Sequence, residues 1–261
     1  MHPHEFMDNY WTIEDTKRVF VMMSFAHEAV WNNIIKKAIK KAKLKPDRAD
    51  IPLSGPIPDN ILDGIFNARI ILVDLSPQLV KAGKIEDGKK LKYLYNWNVA
   101  YELGIAHAAR QKDEVVLISQ TIEKVPFDIQ HWQIHQYDQN DTIDSINRIG
   151  NLLKIADRNI DDSKSRLIKR DADKLDLYCI SLMTSFRNKA NKDETFEIPE
   201  NPTKDLPNGT KEPLDKPSVM LAIHKILDLG ILKSRYYPDT DRYSYEWTEK
   251  GKAALKYLKM L

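Results

Sequence analysis

A carboxylate near a helix start, with an amide one turn before it, is the pairing in this sequence best suited to chemistry. The segment Asn98-Val99-Ala100-Tyr101-Glu102-Leu103-Gly104 places Asn98 and Glu102 four residues apart, on one helical face. The partial positive charge at a helix N-terminus favours an ionised Glu102. Such a group can attack an electrophilic carbon or stabilise developing positive charge. Gly104 follows at a helix-interior position, where glycine costs about 1 kcal/mol against alanine. A close approach by a ligand or another backbone would explain that cost. The plainer reading is an ordinary acidic residue near a helix start and a packing glycine.

Other polar residues fall at the ends of apolar runs. Val19-Phe20-Val21-Met22-Met23 reads as a buried strand, ending at Met23-Ser24-Phe25. A weak strand near Lys45 to Ala49 ends at Asp50 and runs into Ser54-Gly55, within a loop holding three prolines. Arg69 to Leu75 is a second apolar run, carrying Asp74 and followed by Ser76. Val115 to Ile118 is a third, and Gln133 to Tyr137 a shorter candidate. Between them, apolar residues recur at helical spacing from Val30 to Ala42, Asp59 to Ala68, Asn98 to Arg110 and Asp141 to Ile155. Strands alternating with helices predict an α/β fold: a flavodoxin-like, mainly parallel five-stranded sheet with helices on both faces. Ligands then bind beyond the carboxyl ends of the strands, where Ser24, Asp50, Asp74 and the start of the Glu102 helix all fall. Asp74 could equally cap the loop after its strand, and Ser24 could be a loop hydroxyl satisfying backbone.

Composition narrows the classes. The chain has 261 residues, 40 Lys plus Arg against 38 Asp plus Glu, and a formal charge of +2. There is no global basic excess to point to nucleic acid or an anionic membrane. A single cysteine, Cys179, excludes an intrachain disulfide and a multi-thiolate zinc site. His27, His107, His131 and His135 invite a metal reading, but only the last two have helical ligand spacing, in a segment that reads as strand. No metal and no cofactor are expected. Met1 to Trp11 are polar and acidic, and no run approaches the roughly 20 apolar residues of a membrane span. A soluble cytoplasmic protein is expected.

The expected organisation is an N-terminal extension (1–16), the α/β domain (17–160), a charged helical connector (161–192), a proline-rich linker (193–213) and a small module (214–261). The module reads as helix (Ser218 to Leu229), hairpin (Ile231 to Tyr237 and Arg242 to Trp247, about a Pro-Asp-Thr-Asp turn) and a helix capped by Thr248. This is a winged-helix-like α+β pattern. Lys233, Arg235 and Arg242 lie where a wing would meet phosphates. The charge excess there is small, and such modules also serve protein contact.

VFVMMSF (Val19 to Phe25), Arg48-Ala49-Asp50 with Ser54-Gly55, RIILVDLS (Arg69 to Ser76), NWNVAYELGIAHA (Asn96 to Ala108) and VPFDI (Val125 to Ile129) occur in that order. Together they resemble the nucleoside 2-deoxyribosyltransferase-like group and, more distantly, TIR-like NAD-cleaving domains of bacterial defence and signalling proteins. The resemblance covers about Lys17 to Tyr137. It implies cleavage of an N-glycosidic bond in a nucleotide, nucleoside or NAD, by hydrolysis or transfer. Glu102 matches the glutamate that attacks or stabilises the ribosyl carbon. Asp74 would position ribose hydroxyls or the nucleophile. Met23, Ser24, Phe25, Asp50, Ser54, Gly55, Ser76, Asn98 and Tyr101 would line the substrate. A homo-oligomer is also implied.

One departure is an insertion from Pro77 to Tyr95, with five lysines (Lys81, Lys84, Lys89, Lys90, Lys92) and Tyr93 and Tyr95. It reads either as a basic, aromatic lid suited to a phosphate-bearing substrate or as a solvated insertion. Two function classes follow. One is an N-glycosidase or ribosyltransferase. The other is a nucleotide-sensing module whose winged-helix-like tail contacts DNA or a protein partner.

Overall fold

Every residue of Ala68–Asp74 is buried, so this strand is covered on both faces. That follows from its unbroken Ile-Ile-Leu-Val run, which suits only the middle of a sheet with helices on each side. The computed structural model describes residues 10–11, 15–48, 59–81, 91–125, 129, 132–192, 194–198, 203–205, 211–213 and 215–261. It divides into two compact units, with the boundary after Asp161.

In the first unit, β1 (Asp15–Met22) leads through a short 3-10 turn into helix α1 (residues 28–41), whose Trp31–Ile35 segment is π-helical. Then come β2 (Lys45–Asp47), α2 (Asp59–Asn67) and β3 (Ala68–Asp74). An antiparallel ribbon of β4 (Gln78–Lys81) and β5 (Leu91–Leu94) follows. Helix α3 (Trp97–Ala109), β6 (Val115–Ser119), β7 (Ile134–Gln136) and α4 (Thr142–Ala172) complete the order. The sheet order is β2-β1-β3-β6-β7, and every pair is parallel. Crossovers on either side of the first strand bring the carboxyl ends of β1 and β3 together, with Met22 opposite Val73.

Alternation along the strands divides the core. Phe20 and Met22 join Ile71 and Val73 against Ile61 and Ile65 of α2 and Val99, Leu103 and Ala106 of α3. The alternate residues Val19, Val21, Ile70 and Leu72 are buried too, as are Ile35 and Ile39 of α1 and Ile149 and Leu153 of α4. The helices α1 and α4 approach closely: a Cβ on Gly150 would lie 3.3 Å from the Ala38 carbonyl oxygen.

Arg110 ends α3 fully buried. It donates to the carbonyls of Ile65 (3.0 Å), Phe66 (2.8 Å) and Ala68 (2.6 Å) and pairs with Glu114 (2.5 Å). One side chain thus joins the α2–β3 junction to the end of α3.

The two ends of the insertion pair as β4 and β5, and residues 82–90 between them lie outside the described set. Helix α4 also runs unbroken for 31 residues, past the point where the sequence suggests a separate connector.

The second unit contains α5 (Leu177–Ala190), a short ribbon of β8 (Thr203–Asp205) and β9 (Lys211–Pro213), α6 (Lys216–Asp228), the hairpin β10 (Leu232–Tyr237) with β11 (Arg242–Trp247), and α7 (Glu249–Tyr257). Asp176, Asp215 and Thr248 cap the three helices, accepting from Cys179, Ser218 and Gly251 backbone N–H groups. Phe196, in the stretch read as linker, is buried. Its ring stacks on Phe186 at 4.7 Å, and its backbone pairs with Tyr245. Among the described residues no helix is long and apolar enough to cross a membrane.

Candidate active site

Because the five strands are parallel, the residues just beyond their carboxyl ends share one edge. Asp74 closes β3 and is fully buried. Its Oδ1 accepts from the Ser76 backbone N–H (3.0 Å) and the Ser76 hydroxyl (2.5 Å). Its Oδ2 accepts from the Tyr137 hydroxyl at 2.8 Å, just past β7. Gln120, after β6, completes the network: its backbone N–H donates to Ser76 Oγ (2.8 Å) and its side chain to Tyr137 (3.1 Å). Burial raises the Tyr137 hydroxyl pKa well above the ordinary phenol value, and the Asp74 charge adds to this, so Tyr137 remains a donor. Four polar side chains thus knit the ends of β3, β6 and β7.

Beyond β1, Ser24 caps the 3-10 turn, accepting from Ala26 N–H at 3.3 Å, and also accepts from Gln78 at the start of β4. The same turn carries His27, which keeps 14% of its side-chain surface exposed. Its Nδ1 is sealed from solvent, has no hydrogen-bond partner among the described residues, and faces Asp74 Oδ2 at 3.8 Å. Next to it Arg48 pairs with Glu28 at 2.7 Å and lies over Phe25 and Trp31, 5.3 and 5.0 Å from the ring centroids. Phe25 itself is 41% exposed.

Glu102 lies on α3. Asn96 caps that helix, accepting from Asn98 N–H at 3.0 Å, so the helix begins at Trp97 and Glu102 is its sixth residue. The side chain is buried, flanked along the helix by Val99, Leu103 and Ala106 of the core. It has no hydrogen-bond or ion-pair partner among the described residues. Burial pushes its carboxyl pKa up to about 7. The sequence expectation of an ionised form favoured by the helix N-terminus is therefore corrected. The helix field fades beyond the first turn, and desolvation dominates at the second.

Of the residues expected at the site, Ser24, Asp74 and Ser76 meet at the strand ends. Asp74 is enclosed, with no exposed side-chain surface, so Ser76, Tyr137 and His27 stand around its carboxylate. Met23 is buried in the core, continuing the β1 alternation. Asn98 is exposed, and Tyr101 is 65% exposed on the outer side of α3. Asp50, Ser54 and Gly55 lie outside the described residues, as do Pro126 to Asp128 and His131. Gly104 departs from expectation: among the described residues, nothing lies within 4 Å of where its Cβ would stand. His107 stacks on Trp132 at 3.9 Å.

The sequence reading gave no role to Tyr137, Gln120 or Gln78, and considered His27 only as a metal ligand. The available signal was positional, since each lies within a few residues of a strand end. Compared with protein-family models and with curated proteins, the chain matches none.

Proposed function

We propose that the first unit cleaves the N-glycosidic bond of a nucleoside, nucleotide or NAD, with Glu102 as the reacting carboxylate. One observation carries this reading. A buried, unpartnered carboxyl, its pKa raised to about 7, sits on the helix that begins at the ligand-binding edge of a parallel sheet. The strand order supports a flavodoxin-like assignment, in which ligands bind at the switch between β1 and β3. As the base departs, the ribosyl carbon gains positive charge. That charge draws Glu102 into its ionised form, which then stabilises or captures the oxocarbenium ion. Phe25, exposed beside Ser24, offers a ring face to the base.

The helix, hairpin and helix of the second unit are read as a winged-helix-like module. Its exposed hairpin carries Arg235 and the Tyr236–Tyr243 pair, 5.0 Å apart, as a surface for DNA or protein. A cytoplasmic role in bacterial defence or signalling fits these parts.

The test is chromatography after incubation with NAD, nucleosides and nucleoside monophosphates. Release of a free base by the wild-type protein, lost in Glu102→Gln, is expected. Binding without release would replace the enzyme by a nucleotide sensor.

A further inference from the structure

We propose that His27, backed by Asp74, is the general acid of this site, and that the pair directs it towards nucleosides and nucleotides with a neutral base rather than NAD. The inference rests on the N-glycosidase reading and supplies the proton donor that reading otherwise lacks.

The two ring nitrogens of His27 differ. Nδ1 is sealed inside, has no hydrogen-bond partner among the described residues, and faces Asp74 Oδ2 at 3.8 Å. The ring keeps 14% of its side-chain surface exposed while Nδ1 is sealed, so that surface belongs to the rest of the ring, where Nε2 lies. The imidazole thus has Nδ1 towards a buried carboxylate and Nε2 on its far side. A carboxylate behind one nitrogen fixes the tautomer and stabilises the imidazolium, while the other nitrogen handles the proton. The 3.8 Å separation is longer than a hydrogen bond, and catalytic contacts in ligand-free sites commonly tighten only when substrate is bound.

Asp74 is positioned for this role. Ser76 and Tyr137 hold its oxygens on the sheet side, and no side-chain surface is left to touch a substrate. Among the described residues, the other charged groups beside the turn, Glu28 and Arg48, are paired to each other at 2.7 Å. Asp74 on β3 is the charge that faces Nδ1, with the neutral Tyr137 hydroxyl beyond it.

The bond between the ribosyl carbon and the base nitrogen breaks, and its electron pair goes to the nitrogen. The proton on His27 Nε2 moves to that base, leaving a neutral imidazole with Nδ1–H towards Asp74. Water then adds its hydroxyl to the ribosyl carbon and returns its proton to Nε2. A neutral purine or pyrimidine needs that proton to leave. Nicotinamide leaves the pyridinium of NAD as a neutral molecule and needs none. An acid at this place is of use only for the first class.

Two measurements test this. The first is NMR of the His27 ring in the wild-type protein, with Asp74→Asn as comparison. An Nδ1–H tautomer in the wild-type protein, lost or mixed with the Nε2–H form in Asp74→Asn, is expected. An Nε2–H tautomer in the wild-type protein overturns the proposal, and this readout needs neither turnover nor the variant to fold. The second compares base release from a purine nucleoside monophosphate with nicotinamide release from NAD. His27→Ala should slow the first on the order of 10²–10⁴-fold and leave any NAD cleavage within a few-fold. Equal loss on both substrates, or none on the purine, overturns the acid role. An NMR-confirmed pair in a protein that releases no base would overturn the N-glycosidase reading and the acid role with it, whereas base release with an Nε2–H tautomer overturns the acid role alone.

Discussion

The Tyr137 hydroxyl donates to Asp74 Oδ2 at 2.8 Å, joining two residues that are 63 positions apart in the chain. The contact crosses from the end of β7 to the end of β3, with β6 between them. It holds the carboxylate that faces His27 in one orientation, so the edge of the sheet is set before any ligand arrives.

Replacing that hydroxyl alone should show its worth. Tyr137→Phe keeps the ring but leaves Asp74 Oδ2 without its buried donor and the Gln120 amide without its acceptor. A loss of about 1–3 kcal/mol is expected. Denaturant unfolding should record it as a lower midpoint at unchanged slope.

Glu102→Gln should separate chemistry from binding. Removing the charge at constant shape is expected to lower turnover on the order of 10²–10³-fold, about 2.7–4 kcal/mol, while ligand affinity is kept. Paired measurement of turnover and affinity on the folded variant checks this. Unchanged turnover would remove Glu102 from the mechanism.

The same variant has a pH signature in stability. The folded carboxyl titrates near 7, against 4.5 for a free glutamate. Below 4.5 both folded and unfolded chains hold the proton, and the burial costs nothing in charge. As pH rises towards 7 the unfolded chain ionises first, and stability is lost at about 1.4 kcal/mol per pH unit. Glu102→Gln does not titrate, so its advantage over wild type should grow from pH 4 to pH 8, to roughly 3 kcal/mol. Melting curves across that range measure it. A constant difference would mean that Glu102 ionises as freely as in an unfolded chain.

Gly104→Ala should stabilise the protein. The position is helical and exposed, with open space where the methyl group would go. Helix propensity then favours alanine by about 1 kcal/mol, visible as a higher Tm with activity unchanged.

Arg110→Met should be among the most damaging single changes. It strands Glu114 as a buried charge and removes donors from three carbonyls. About 3–5 kcal/mol is expected. Adding Glu114→Leu should recover part of the loss, and a double-mutant cycle would show that the two do not add.

The legible parts of this fold were those with a one-dimensional signature. Val19–Met23, Arg69–Leu75 and Val115–Ile118 read as buried strands because they are apolar on both faces. Thr248 read as a cap because its role is local. The β4–β5 ribbon was not legible, since its lysine-rich segments carry no clean alternation. The continuity of α4 was hidden by a change from apolar stripe to charge after Ile155, although no glycine or proline breaks it there. At the site, Asp74 and Ser76 could be found from their place at a strand end. The partners that give them meaning, Tyr137, Gln120 and His27, come from other strand ends, and only the sheet order brings them together. The Glu102 ionisation was misjudged because burial at the second helical turn is a property of packing.

Arg110 pins the carboxyl end of α3 to the α2–β3 junction, and Glu102 rides about 12 Å up the same helix at 1.5 Å per residue. Ahead of Glu102, the chain reaches Asp74 only through the β4–β5 ribbon. A helix held at one end by buried hydrogen bonds ties every residue along it to that anchor. The place of Glu102 is therefore set from the far end of its own helix, by the arginine that closes the α2–β3 junction, while Asp74 is held separately by Ser76 and Tyr137.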